Sequence, residues 1–176
     1  MKVILKKGQI NKIIQTLAKK VVKKYKKLDN LVIIGIHTNG VYIAQRLIEM
    51  IKKLKNKTIK LGYLDITFYR DDIGYRKVIQ QPKETKIDFD INEKDVLLVD
   101  DVLYTGRTIR AAMEQILELG RPKSISVLVL IDRGLRELPI YAEFVGKKIK
   151  TTPNQQIELF LKETNGNDTI VLYNKK

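Results

Sequence analysis

Two adjacent carboxylates, Asp100 and Asp101, precede the short polar run Thr105-Gly106-Arg107-Thr108. Side chains of these types at this spacing can bind a sugar phosphate. Hydroxyls and backbone N–H groups at the start of a helix attract an anion, and a glycine there lets the backbone approach it closely. Paired acids can hold a sugar diol or a hydrated divalent cation. The elements that must position these groups lie on either side. Val96–Val99 is an apolar run with the length and β-branched content of a buried parallel strand. It ends on the two acids, where an open α/β sheet keeps its ligand crevice. Behind Thr105, the apolar residues Ile109, Met113, Ile116 and Leu117 share one helical face.

An apolar strand ending in Asp-Asp also occurs in nucleotide triphosphatases and in phospho-acceptor domains. The first is disfavoured because no G-x-x-x-x-G-K-[ST] loop occurs in the chain. The second gives no reason for a Thr-Gly-Arg-Thr cradle directly downstream.

The rest of the chain alternates helical and strand patterns. Residues 9–28 carry apolar positions at a 3–4 spacing, with Lys12, Lys19, Lys20, Lys23, Lys24, Lys26 and Lys27 on the other face. Leu31–Ile36 reads as a buried strand, followed by Gly35-Ile36-His37-Thr38-Asn39-Gly40 and a second amphipathic helix from Val41. Ile59–Tyr69 reads as a strand. The polar segment Arg70–Asp95 reads as a mobile flap, because long structureless connections in compact domains are usually functional. Gly120-Arg121-Pro122 closes the helix after the acids, and Ile125–Ile131 is another buried strand. Glu143–Ile149, Ile157–Leu161 and Ile170–Tyr173 read as short strands of a small cap near the sheet's end. Strands alternating with helices predict an α/β fold with a mostly parallel sheet and right-handed crossovers.

At 176 residues the chain is expected to be one domain, residues 1–176, able to bury about 70% of its unfolded surface. It has no cysteine, which excludes disulfides, thiolate catalysis and a zinc–thiolate cluster. No stretch approaches the roughly 20 apolar residues of a membrane span, and Met1–Gly8 has no signal-peptide core. A cytoplasmic location with no membrane partner is the expectation. The net charge of +14 is unevenly placed: residues 1–60 hold 16 Lys or Arg against two acids, and the remainder balances. Lysines on solvated helix faces need no function, but this concentration also suits a polyanion-binding surface.

Residues 96–108 as a whole resemble the phosphoribosyl pyrophosphate (PRPP) signature of type I phosphoribosyltransferases. Two further segments extend the resemblance over nearly the whole chain: Asp65-Ile66-Thr67-Phe68-Tyr69-Arg70-Asp71-Asp72 and Ile131-Asp132-Arg133-Gly134-Leu135-Arg136-Glu137-Leu138-Pro139-Ile140. The three motifs, in this order, are similar to the branch of the family that pairs uracil phosphoribosyltransferase activity with attenuation of the pyrimidine operon. The resemblance implies the type I fold, a central parallel sheet flanked by helices with a small hood and a flap. It implies conversion of uracil and PRPP to UMP and pyrophosphate, with Mg²⁺ as cofactor.

By the same resemblance, Thr105, Gly106, Arg107 and Thr108 hold the 5′-phosphate, and Tyr104 joins the residues that bind PRPP or UMP. Asp100 and Asp101 contact the ribose and act on Mg²⁺ through water, and with Arg70 of the flap they form the catalytic set. Thr38, Asn39 and Gly40 grip pyrophosphate. Arg133 and Gly134 recognise the base, with Arg136 a weaker candidate. Arg133 and Arg136 would otherwise be surface ion-pair partners of Asp132 or Glu137. Relatives carry Thr-Arg-Gly in the pyrophosphate loop, so a guanidinium is missing at Asn39. A charged contact of that kind is worth about 1.5–3 kcal/mol, so weak transferase activity is expected. A cis peptide is expected at Thr38–Asn39. His37, the one histidine, is adjacent and would ordinarily be structural.

The resemblance also implies UMP-dependent binding of a leader mRNA hairpin of the pyrimidine operon, which promotes transcription termination. Lys12, Lys19, Lys20, Lys23, Lys24 and Lys27, extended by Lys147 and Lys148, are the candidate RNA contacts, and a homodimer or larger homo-oligomer is expected. Two alternatives stay open: an RNA regulator whose catalysis has decayed, and a phosphoribosyltransferase without RNA regulation.

Overall fold

The chain runs β1 (Lys2–Lys6), α1 (Lys7–Lys24), β2 (Leu31–Ile36), α2 (Asn39–Lys55), β3 (Lys60–Leu64), β4 (Asp95–Leu103), α3 (Arg107–Leu119), β5 (Ser124–Asp132), β6 (Phe144–Lys148), β7 (Gln155–Phe160), α4 (Lys162–Asn165) and β8 (Thr169–Asn174). The computed structural model describes residues 1–69 and 82–175. Strands β2, β4 and β5 are buried for most of their length, the pattern of strands covered on both faces. They form the centre of a five-stranded sheet of order β3-β2-β4-β5-β6, in which every pair is parallel.

Successive side chains of these strands point to opposite faces. Ile33, Leu97, Val99, Leu128 and Leu130 pack with Ile10, Ile14, Leu17 and Val21 of α1 and with Ile43, Leu47 and Ile51 of α2. Val32, Ile34, Val96, Leu98, Val127 and Val129 pack with Ile109, Ala112 and Ile116 of α3. No helix among the described residues is long and apolar enough to cross a membrane.

Strands β1, β8 and β7 form a separate antiparallel sheet, the hood. Its Leu5, Ile157, Leu159 and Ile170 join the core shared with α1 and α2. Two expectations change here. The segment predicted as the first cap strand is β6, the edge of the main sheet, where Leu128 and Val129 pair with Phe144 and Val145. Gly146 allows α1 to lie against that edge: a Cβ there would come within 2.5 Å of Ile13 Cγ2. The hood's third strand is instead β1, paired with residues 169–172, a partner too distant in sequence to leave a local signal.

Several boundaries also move. Helix α1 stops at Lys24 because Tyr25, its C-cap, turns into the core against Phe144, with ring centroids 6.3 Å apart. Lys26 and Lys27 therefore lie off the helix. The strand predicted to reach Tyr69 ends at Leu64. There Asp65 Oδ1 accepts hydrogen bonds from Thr67 N at 2.8 Å and Thr67 Oγ1 at 2.6 Å, a local turn that competes with the ladder. Conversely, β4 continues through both acids, with Asp100 beside Val129 and Leu103 beside Asp132.

Candidate active site and basic face

In the sheet, Gly35 of β2 lies beside Val99 of β4. The loop leaving β2 and the acids of β4 therefore meet at the same, C-terminal end. Close packing enforces this. A Cβ on Gly40 would lie 2.3 Å from the Val99 carbonyl oxygen, and one on Gly35 would lie 2.5 Å from Val41 Cα. The first turn of α2 is thereby pressed against the strand that carries Asp100 and Asp101. A cis peptide does occur in this loop, at His37–Thr38 rather than Thr38–Asn39. The Thr38–Asn39 bond leads straight into α2, which begins at Asn39.

The two acids face different environments. Asp100 is 7% exposed, and its Oδ1 accepts the Asp101 N–H at 2.9 Å. Asp101 Oδ1 accepts the Val102 N–H at 2.6 Å, while its Oδ2 accepts the Asn39 side-chain amide at 2.8 Å. The same amide donates to the Leu159 carbonyl at 3.2 Å. Asn39 thus ties the acid pair to the hood. Thr38, Asn39, Asp101, Leu159, Phe160 and Thr164 help to line a cleft of about 310 Å³ between the main sheet and the hood.

On the other side, Gly106 caps α3 with φ of 95°, a left-handed conformation that favours glycine. Arg107 N donates to Thr105 Oγ1 at 3.3 Å, which closes the turn. The segment after β5 braces it: Glu137 N and Leu138 N both donate to the Thr105 carbonyl at 3.0 Å. Arg107 Nε contacts Glu137 at 2.7 Å. Residues 104–108 form the strand–turn–helix unit that the sequence predicts.

Arg133 is 4% exposed. Its guanidinium donates to Thr151 Oγ1 at 3.0 Å, the Thr152 carbonyl at 3.2 Å and the Gln155 carbonyl at 2.6 Å. Its Cζ also stacks 4.0 Å from the Tyr104 ring centroid. Burial pushes its pKa below the ordinary arginine value, and the Tyr104 phenol opposes that shift. The geometry gives Arg133 a positioning role, holding residues 151–155 and Tyr104. Gly134 beside it, with φ of 73°, has open space where a Cβ would be. Arg136 pairs with Asp132 at 2.6 Å and donates to the Tyr104 carbonyl at 2.5 Å. It is the local ion-pair partner that the sequence also allowed.

Arg70, Asp71 and Asp72 lie outside the described residues. Tyr69, just before them, donates its hydroxyl to Glu118 at 2.5 Å, and its carbonyl accepts from Arg110 at 2.9 Å.

Sequence reasoning missed the clamp behind the cleft. Arg46 of α2 meets Asp168 with two hydrogen bonds of 2.7 and 3.0 Å, and Glu163 with two of 2.6 and 2.9 Å. Burial opposes the charge on Arg46, but the carboxylates outweigh it and raise its pKa. Those hydrogen bonds in turn hold Glu163 and Asp168 below the usual carboxylate range. Nothing local in the sequence marks Arg46, one of several polar residues on an amphipathic helix.

The lysines proposed from the sequence as RNA contacts lie on or next to α1 and β6, which pack against each other. Lys12, Lys19, Lys20, Lys23, Lys147 and Lys148 are exposed. Lys12, Thr16 and Lys20 line a shallow groove against Val145 and Gly146, so α1 and β6 present their charge side by side. Lys24 is held by Glu143, whose hydrogen bond raises the lysine's pKa. Lys27 stands on the turn after the helix.

This sheet and strand–turn–helix unit define a phosphoribosyltransferase. The sequence pattern of the phosphoribosyl transferase domain matches residues 2–163. The fold agrees with the hypoxanthine phosphoribosyltransferase of Trypanosoma cruzi, at a TM-score of 0.74 and 20% identity over 100% of this chain and 98% of that one. A hypoxanthine phosphoribosyltransferase from Staphylococcus aureus superposes with a TM-score of 0.67 and 26% identity, over 86% of this chain and 79% of that one. Within the class, the chain belongs to the PyrR family. It is 46% identical over 175 residues to the bifunctional protein PyrR of Bacillus cereus (strain AH820), covering 98% of this chain and 97% of that protein. It matches PyrR of Bacillus mycoides (strain KBAB4) to the same extent.

Proposed function

We propose that this chain converts uracil and PRPP to UMP and pyrophosphate and, with UMP bound, binds a leader mRNA hairpin of the pyrimidine operon to promote attenuation. The enzymatic half is carried by one juxtaposition: the Asp100–Asp101 pair lies between the 38–40 loop and the 104–108 turn. The C1′–O bond to pyrophosphate breaks, its electron pair leaving with pyrophosphate, as the C1′–N1 bond to uracil forms, and the uracil N1 proton passes to the departing pyrophosphate or to solvent. No nucleophilic side chain is required. The protein's part is to position both reactants, stabilise charge and exclude water.

Thr105, Gly106, Arg107 and Thr108, beside Tyr104, hold the 5′-phosphate. Asp100 and Asp101 take the ribose hydroxyls. Thr38, Asn39 and Gly40 take pyrophosphate, and Arg70 acts from the flap. Gly134 offers backbone to the base, while Arg133 sets the shape of that side by fixing Tyr104. Among the described residues, no three acidic, histidine or cysteine side chains cluster as metal ligands. Two adjacent carboxylates, Asp100 and Asp101, fit Mg²⁺ that keeps its waters and substrate oxygens, acting on it through water. When bound, Mg²⁺ supplies charge neutralisation on the pyrophosphate group.

The lysine face across α1 and β6 supports the RNA half. Lys12, Lys19, Lys20, Lys23, Lys147 and Lys148 contact phosphates there, with Lys24 and Lys27 at its margin. Such contacts give affinity with a steep salt dependence. The whole chain acts as one domain in the cytoplasm, and a homodimer or larger assembly would join two such faces.

The test is binding to the pyrimidine-leader hairpin with and without UMP at several salt concentrations, beside a uracil transferase assay. Tighter binding with UMP, a steep salt slope and UMP formation from uracil rather than hypoxanthine support both halves. Binding no better than to an unrelated hairpin removes the regulatory half. UMP-stimulated hairpin binding without UMP synthesis removes the catalytic half.

A further inference from the structure

The 38–40 loop carries no charged side chain of its own. The Asn39 amide is committed to Asp101 and the Leu159 carbonyl, and Asp101 presents a negative charge beside it. Beside the Mg²⁺ that would share its charge, an anion as highly charged as pyrophosphate gains from a protein cation at this loop. Lys83, 45 residues along the chain from Thr38, reaches the loop: its Nζ donates to Thr38 Oγ1 at 3.0 Å.

The surroundings hold it in that place. The Lys83 N–H donates to Asp65, the carboxylate whose other oxygen closes the Thr67 turn. Asp65 N donates to Thr85 Oγ1 at 3.0 Å, and Tyr63 and Lys86 exchange two backbone hydrogen bonds of 2.8 Å. The Glu84 carbonyl lies 3.3 Å from His37 Nε2. Residues 83–86 are thus stitched along β3 and its exit, directly opposite the 38–40 loop. The charge is felt there as well. Burial holds the His37 imidazole below its ordinary value, and Lys83 pushes it further down, against the Glu84 carbonyl and Asp65.

We infer that Lys83 is the cation that binds the pyrophosphate group of PRPP in this chain. This rests on the assignment of the 38–40 loop to pyrophosphate. A lysine suits the task because its ammonium is a compact charge on a flexible stem, able to follow a group that must also depart.

UMP, which lacks pyrophosphate, separates this role from a structural one. Titration calorimetry of the full chain with PRPP, inorganic pyrophosphate and UMP, for the wild type, Lys83→Gln and Lys83→Arg, tests it. Lys83→Gln is expected to weaken PRPP and pyrophosphate by about tenfold or more, with UMP within about twofold of the wild type. Lys83→Arg should recover most of the loss. Unchanged PRPP and pyrophosphate affinities in Lys83→Gln would overturn the assignment. So would an equal loss of all three ligands, which marks a structural role. A wild type that binds UMP but neither PRPP nor pyrophosphate would instead overturn the loop assignment, and Lys83 with it.

Discussion

The two loops proposed to hold the phosphate and the pyrophosphate are built in opposite ways. Residues 104–108 are contiguous, a single strand–turn–helix whose donors are backbone N–H groups and its own hydroxyls, braced by Glu137 and Leu138. The 38–40 loop is an assembly. Its amide reaches Asp101 and Leu159, and its hydroxyl meets Lys83. Across the cleft, the hood is anchored by Arg46. A contiguous loop takes its chemistry from chain direction, which survives small shifts elsewhere. An assembled loop takes it from distant packing, and loses it when that packing moves.

The largest way to break the comparison is Arg46→Met. Asp168, with its side chain 3% exposed, would be left buried without its cation. Losing one partner of such a pair costs about 3–5 kcal/mol, measurable by urea unfolding at pH 7. Arg46 holds Glu163 and Asp168 below their usual pKa. Their contribution is therefore complete above the ordinary carboxylate range and is lost as pH falls from that range through their lowered values. The gap between wild type and variant should narrow toward acid. Because Leu159 and Thr164 line the cleft with Asn39, PRPP affinity should fall further than UMP affinity. Equal losses would mean that both loops depend on the hood.

A smaller contrast sets the two glycines against each other. Gly40→Ala drives a Cβ into the Val99 carbonyl, which is backbone and cannot turn aside, and should cost about 3 kcal/mol. Gly106→Ala meets only the side chains of Ile140 and Leu138 at 3.3 and 3.4 Å. Its cost is the left-handed φ, about 1–2 kcal/mol. Thermal unfolding of the two variants ranks them, and the reverse order would contradict the tighter packing at Gly40.

The same contrast explains what the sequence could tell. The 104–108 unit was legible because every part of it lies within one strand–turn–helix pattern. The sheet followed from the apolar runs at Leu31, Val96 and Ile125. The lysine face showed in the count of charges before residue 60. The second loop was legible only as a backbone feature, with an apparent gap at Asn39. Neither Lys83, in a polar segment of many lysines, nor Arg46, an arginine on an amphipathic helix, differs locally from a solvated side chain. Strand β1 was hidden for the same reason, since its pairing with residues 169–172 is set by tertiary contact alone.

Asn39→Arg sharpens the comparison with the smallest expected effect. It restores the guanidinium that the family pattern places in this loop, giving a second cation opposite Lys83. A charged contact to phosphate is worth about 1.5–3 kcal/mol, but the substitution gives up the hydrogen bond to Leu159, worth about 1 kcal/mol. Asp101 would also compete for the new charge. The net expectation is a fall of about tenfold or less in the KM for PRPP, with kcat little changed. Lys83→Gln should then cost less in this background than in the wild type, since two cations at one phosphate group are partly redundant. An unchanged KM would mean that Lys83 already supplies all the charge the loop can use. The assembled loop would then be a complete alternative to the arginine, rather than a weakened copy of it.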